Sequence, residues 1–274
     1  MLHSLFQQLP KWSLVASIAL LSPFNASLVK PVWAAPANTA PERLTQQLKA
    51  LETAANNRDL EAVQDIYSNE ATTVVGSPQE LTQKLKQFWE QYSKLDYQVE
   101  LQSWEQQGNA IVAETVTRIR GLREQQDRDI VLQAELRSRQ QFVDGKIVSQ
   151  EILSEQSQLY IGDNAPRVKV KVPNEVEVGK QFNFDVIVRE PVGDNILLGA
   201  ALEEEVTPTD YLKPQEVDLE ILPAGGIYRL GEAPTNPGQR WLSAIIVRGN
   251  GMTLVSKRVN IVPTQAALSN SKKN

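Results

Sequence analysis

SPQELTQKLKQFWEQYSKLDYQVEL, residues 77–101, holds the change of period that decides the fold. Up to Tyr92 its apolar residues, Leu81, Leu85, Phe88, Trp89 and Tyr92, fall in steps that place them on one helical face. From Leu95 through Tyr97, Val99 and Leu101 they fall every second residue, the spacing of a strand with one face inward. The helix start is written in Ser77-Pro78-Gln79-Glu80. Serine accepts from freed amides, proline lacks only an N–H that has no intrahelical partner, and glutamate reaches back to the serine amide.

Upstream, Thr39-Ala40-Pro41-Glu42 predicts the start of a first helix with Leu44, Leu48, Leu51 and Ala55 inward, ended by Asn56-Asn57. A second, short helix is predicted from about Asp59, with Leu60, Val63, Ile66 and Tyr67 inward. Downstream the two-residue period continues through Ile111, Ala113, Thr115, Thr117 and Ile119, then Ile130, Leu132, Ala134 and Leu136, then a strand from about Gly145 to Tyr160. Gln107-Gly108-Asn109, Gly121 to Asp127 and Asp144-Gly145 supply turn signals. The pattern predicts an α+β layer, three helices on a curved antiparallel sheet.

This order of elements, over residues 41–161, resembles the nuclear transport factor 2-like, or cystatin-like cone, family. Asn57 to Tyr67, Phe88-Trp89 and Phe142-Val143-Asp144-Gly145-Lys146-Ile147 stand where that family has its helix turn, cone lining and last hairpin. The resemblance implies a strongly bent sheet enclosing a cone-shaped cavity. It implies no single activity, because the fold carries isomerases, dehydratases, hydrolases, transport factors and non-catalytic modules.

Gly162-Asp163-Asn164-Ala165-Pro166 breaks the pattern, and helical periodicity does not return. Seven strand-like runs follow: Val168 to Val172, Val176 to Val178, Phe182 to Val188, Ile196 to Leu202, Val217 to Ile221, Arg240 to Val247 and Val255 to Ile261. Turns are expected at Pro191 to Asn195, Pro208 to Pro214, Gly225-Gly226 and Gly249 to Gly251. Short, evenly spaced strands predict an all-β immunoglobulin-like sandwich over 166–263, then a polar disordered tail over 264–274. The cysteine pair of true immunoglobulin domains is missing and Trp241 lies in a late strand, so the likeness is architectural. Together the halves resemble exported two-domain proteins of cyanobacteria.

Residues 1–34 read as a signal peptide: Lys11, the apolar run Trp12 to Leu21, the Ser22-Pro23 break, and Val32-Trp33-Ala34 before a cut at Ala35. The run is shorter than the roughly 20 residues of a membrane span, so membrane contact is expected only through this transient leader. An extracytoplasmic location is expected: periplasm, thylakoid lumen or cell exterior.

Loss of the leader removes His3, Lys11, Lys30 and no acid, leaving 26 basic against 33 acidic residues, or −7. The remainder has no histidine, and the whole chain has no cysteine. Histidine triads, cysteine nucleophiles, thiolate or imidazole zinc sites, haem ligation by these residues and disulfides are excluded, and no cofactor is expected. The acidic balance, without a basic stripe, argues against nucleic acid.

A catalytic cone needs an acid or base inside it. Alternation turns Glu100, Glu114 and Glu135 to the convex face beside Arg118, Arg120, Arg137 and Arg139, where cross-strand ion pairing is the expected role. The polar inward residues are Thr115, Thr117, Ser138 and Gln140. Asp65 and Glu70, near the cone mouth, and Glu151 or Glu155, in a strand of ambiguous facing, are the remaining acids to consider. Tyr67, Trp89, Tyr92, Tyr97 and Phe142 form the candidate ligand-binding set, with Trp104 beside them; the same stripe also serves as plain core. Glu203-Glu204-Glu205 with Glu216, Asp218 and Glu220 lacks the loop spacing of a calcium site and reads as a solvated strand face.

The residues therefore predict an exported, non-enzymatic binding or interaction module, its partner a small apolar molecule or an envelope protein, with a homodimer as an option. A lyase or isomerase using a cone carboxylate with Tyr67 or Tyr97 is one rival. An envelope scaffold working through exposed edges of the sandwich is the other.

Overall fold

Helix α1 runs Glu42–Asn56, α2 Leu60–Ile66 and α3 Pro78–Trp89 in a computed structural model describing residues 34–73, 76–125, 128–191, 193, 196–205 and 218–264. Nearly all of the expected leader and tail, the Pro208 to Pro214 turn and Glu216 lie outside the described residues. The α3 capping box forms as predicted: Glu80 N–H donates to Ser77 Oγ at 3.3 Å and Ser77 N–H to Glu80 Oε2 at 2.7 Å. Asp59 caps α2, accepting from Ala62 N–H at 2.9 Å. Thr39 does not cap α1; Pro41 holds that position, and the Thr39 hydroxyl donates instead to Pro36 O at 2.7 Å.

Strands β1 (Ala35–Pro36), β2 (Tyr67–Thr72), β3 (Lys94–Gln107), β4 (Ala110–Arg123), β5 (Ile130–Val143) and β6 (Lys146–Ile161) accompany the helices. Then come β7 (Val168–Lys171), β8 (Glu175–Glu177), β9 (Gln181–Val188), β10 (Leu197–Glu205), β11 (Glu220–Ile221), β12 (Gly226–Glu232), β13 (Gly238–Arg248) and β14 (Gly251–Val262). Their hydrogen-bonding order corrects the fold expectation. One eleven-stranded sheet runs β1-β3-β4-β5-β6-β14-β13-β10-β11, with β2 on β6 and β8 on β14, and a three-stranded sheet runs β12-β9-β7.

With 58% of the described residues in strands and 18% in helices, the chain is sheet-dominated rather than α+β, and strands expected in a separate immunoglobulin-like sandwich join the same eleven-stranded sheet. The physical reason lies in β6. Its last residues, Gln156 to Ile161, pair antiparallel with Lys257 to Met252 of β14. Period reports which face of a strand is inward; it carries no information about which strand lies alongside.

The chain divides into two compact units. The helical unit takes in the described residues to Arg123 and Gln133–Glu155. Here α1 guards the free side of β3: Asn56 accepts from Tyr97 N–H at 2.8 Å and donates to Tyr97 O at 2.9 Å, while Glu52 accepts from Val99 N–H at 2.8 Å. These side chains stand in for a neighbouring strand. A register shift between Leu101 and Ser103 breaks the β3–β4 ladder, as a bulge that bends a sheet does. Gly121 is strand rather than turn: a Cβ there would lie 2.8 Å from the Tyr92 ring, so glycine lets Tyr92 lie flat on β4.

The second unit holds Glu124–Leu132 and the residues from Gln156 on. Phe182, Phe184, Val186 and Ile227 of the small sheet share one core with Leu242, Ile246, Val259 and Ile261 of β13 and β14. The turn after β6 is tied down: Asn164 Nδ2 donates to Asn250 Oδ1 at 2.9 Å and Thr253 Oγ1 to Pro166 O at 2.6 Å. Arg258, fully buried, donates to Gln239 Oε1 at 3.1 Å and lies over the Trp241 ring, 5.0 Å from its centroid.

Candidate functional site

The alternation of β4 and β5 sorts their side chains by chemistry. Outward, Arg118 bridges Glu100 (2.7 Å) and Glu135 (3.2 Å), Glu114 takes Arg137 (2.6 Å) and Arg139 (2.8 Å), and Arg139 reaches Glu151 (3.5 Å). Every acid in this ladder already has a cation, so the outer face is an ion-pair network rather than a reactive centre. Burial alone would raise the Glu114 carboxyl, but hydrogen bonds and charge from Arg139 and Arg137 outweigh it and hold the group below the usual carboxylate range.

Burial likewise opposes, and the Lys49 contact and Val99 N–H outweigh, the shift at Glu52, which is also lowered. Carboxyls depressed in the folded state stabilise it above their unfolded value and lose that contribution as pH falls through the folded value. Urea midpoints are therefore expected to fall as pH drops below about 4.5, the ordinary carboxylate value. Glu114→Gln should flatten that acid limb, and an unchanged slope would show the ladder to be energetically idle.

Inward, Tyr67, Trp89, Tyr92, Tyr97 and Phe142 are all buried, but they are not one cluster of free groups. Trp89 Nε1 donates to the Tyr97 hydroxyl at 2.9 Å, and the Tyr67 hydroxyl donates to Gln150 Oε1 at 2.7 Å. Tyr92 packs on Phe88 with ring centroids 5.0 Å apart. Burial pushes the Tyr67 and Tyr97 phenols well up and that of Tyr92 to about 12, so all three stay protonated at neutral pH. Trp104 stands apart, half-buried, its Nε1 donating to Thr39 Oγ1 at 3.1 Å. Arg58, which sequence reasoning missed, donates to Trp89 O (3.1 Å), Tyr92 O (2.7 Å) and Ser93 O (3.1 Å), satisfying the carbonyls where α3 ends. Its backbone φ of 55° marks a tight turn that no periodicity announces.

The polar inward residues carry the feature that matters. Thr115 and Gln140, at 1% and 3% exposure, keep Thr115 Oγ1 and Gln140 Oε1 without a hydrogen-bond partner among the described residues. Both sit on the inner face between outward-facing ion-pair residues: Thr115 follows Glu114, and Gln140 follows Arg139. Ser138 is buried on the same face and Thr117 half-buried. Of the acids weighed, Asp65, Glu70 and Glu151 are exposed. Glu155 is buried, at 2% exposure, and held by interactions of its own. Among the described residues no three histidine, cysteine or acidic side chains gather as metal ligands, and no helix is long and apolar enough to cross a membrane. Glu203 pairs loosely with Arg240 at 3.9 Å.

Residues 163–262 match a family described as a domain of unknown function, DUF8623. No curated protein matches the chain. Solved structures with weak similarity include Bd1075 of Bdellovibrio bacteriovorus, at 16% identity, a TM-score of 0.29, and coverage of 40% of this chain and 38% of that one. An LEH-like epoxide hydrolase of M. tuberculosis is 12% identical at a TM-score of 0.29, covering 40% of this chain and 80% of its own. A 96–104 loop truncation variant of IdmH is 15% identical at a TM-score of 0.28, covering 39% and 89%. The chain thus spans 38% of the length of the Bdellovibrio protein, and at these scores the likenesses carry no functional argument.

Proposed function

We propose that the helical unit is a non-enzymatic binding module whose inner sheet face receives a small, mostly apolar molecule bearing a hydrogen-bond donor. One observation carries the reading: Thr115 Oγ1 and Gln140 Oε1 are buried and have no hydrogen-bond partner among the described residues. Each such group costs about 1 to 3 kcal/mol of desolvation. An O–H or N–H brought in by a ligand offsets that cost, since both oxygens accept. Tyr67, Trp89, Tyr92, Tyr97 and Phe142 supply the apolar wall in this reading. The element order of the helical unit, three helices ahead of long antiparallel strands, supports the likeness to nuclear transport factor 2-like cones. The leader-like pattern of residues 1–34 supports a location outside the cytoplasmic membrane in this reading.

Thr115→Val with Gln140→Leu tests this directly, with 1-naphthol as an apolar probe carrying one hydroxyl. Without probe, the double variant is expected to be about 2 to 6 kcal/mol more stable than the wild type, because both orphaned oxygens are gone. It should also lose naphthol binding seen by fluorescence. A variant that is less stable, or that binds naphthol as the wild type does, sinks the reading.

A lyase or isomerase is the second reading, favoured by the burial of Glu155. Turnover of a recovered ligand by wild-type protein and not by Glu155→Gln would put it first.

A further inference from the structure

Sheet edges expose unpaired N–H and C=O groups, and a folded chain has to guard them. Among the described residues, several edges carry a recognisable guard. Asn56 and Glu52 cover β3. Strand β11, ending the large sheet, is two residues long. At one edge of the small sheet, β7 carries Lys169 and Lys171. The opposite edge, β12, is seven residues long and has neither lysine nor proline. Its one cation, Arg229, is spent on Ala201 O at 3.2 Å.

The pairing with β9 determines which backbone groups of β12 remain free. Val188 N–H donates to Gly225 O and Ala233 N–H to Lys180 O, so odd-numbered residues of this stretch point their backbone groups at β9. Tyr228, Leu230 and Glu232 therefore turn theirs to the side on which no described strand pairs. The side chains of Tyr228 and Leu230 stand 53% and 65% exposed on one face.

We propose that β12 pairs antiparallel with β12 of a second copy of this chain, about a two-fold axis through Leu230. In that register Leu230 faces the partner's Leu230, Tyr228 faces the partner's Glu232, and Arg229 faces the partner's Gly231. Tyr228, Leu230 and Glu232 each exchange their free backbone groups, and two exposed leucines leave water together. An axis one residue earlier would set two Arg229 side chains opposite each other, like charges that repel. Centred on Leu230, the strand meets itself without setting like charges opposite each other, which favours a second copy over an unrelated strand. The two-fold closes on itself and yields a dimer rather than a fibre.

Light scattering is expected to give twice the mass of a single chain, which is 30.6 kDa with residues 1–34 still attached. Leu230→Lys puts two ammonium groups face to face and should weaken the dimer at least about tenfold, while the melt of this exposed-site variant stays cooperative. Because the chain has no cysteine, Leu230→Cys carries the only thiol. Facing Cα atoms of a hydrogen-bonded pair lie about 5.5 Å apart, within disulfide reach, so mild oxidation should trap a covalent dimer. Ile221→Cys, at a site 69% exposed, should not be trapped. A wild-type chain that stays monomeric at about 100 μM, far above a micromolar dissociation constant, overturns the proposal and leaves the edge to a foreign strand. A dimer unaffected by Leu230→Lys, or Ile221→Cys trapped as fast as Leu230→Cys, overturns it too.

Discussion

Trp89→Ala is expected to lower the unfolding free energy by about 3 to 5 kcal/mol, the range for large aromatic truncations in a core. Trp89 is 3% exposed at the end of α3, between Phe88 and the turn that carries Tyr92. Truncation removes its apolar burial and leaves a cavity that the strand beneath cannot close. It also strips the Tyr97 hydroxyl of the indole donor at 2.9 Å, in a place where water does not replace it. Tyr97→Phe isolates that last contribution, since it keeps the ring and orphans only the indole N–H, at about 1 to 3 kcal/mol. Denaturant titration of both variants checks the pair. A Trp89→Ala loss under about 1 kcal/mol would mean that α3 does not pack on the sheet as described.

The second large effect is expected at Gly251→Ala, at about 3 kcal/mol, the upper end for overpacking. A Cβ at 251 would sit 2.1 Å from Asn164 C and 2.2 Å from Ala165 N, and backbone atoms do not swing aside as a side-chain tip does. The segment after β6 would have to leave β14, taking with it the bonds Asn164 makes to Asn250 and Thr253 makes to Pro166. Gly238→Ala is the control, because nothing lies within 4 Å of its added Cβ. Equal melting temperatures for the two variants would show that the 162–166 turn does not rest on β14.

Much of the helical unit is legible in the chain. The α3 capping box, the Asp59 cap, the end of α1 at Asn56 and the facing of Thr115, Ser138 and Gln140 all follow from local chemistry and period. Where reading failed, the signal was weak or its cause remote. Strand β2, Tyr-Ser-Asn-Glu-Ala-Thr, has no apolar alternation and exists because β6 pairs with it in parallel at Tyr67 and Thr72. Strand β12 is missing from the sequence expectation because Gly225-Gly226 reads as a turn, and Gly226 and Gly231 both interrupt the apolar pattern. Both are small because β9 lies close: a Cβ would meet Val186 O at 2.4 Å from position 226 and the Phe182 ring at 2.7 Å from position 231. The candidate aromatics are inward residues as expected, but no spacing could tell that Trp89 bonds Tyr97 across the helix-to-strand turn, or Tyr67 the distant Gln150.

By itself the sequence determined which residues face inward, where helices begin, and which chemistries the chain lacks, because these depend on neighbours within a turn or a pleat. Only the tertiary structure decided that β14 lies against β6 and makes one long sheet, that Thr115 Oγ1 and Gln140 Oε1 are buried without a partner among the described residues, and that no described strand pairs with the outer side of β12. Those are properties of what lies beside a strand or above its face, set by residues a hundred positions away, and period along a chain does not record them.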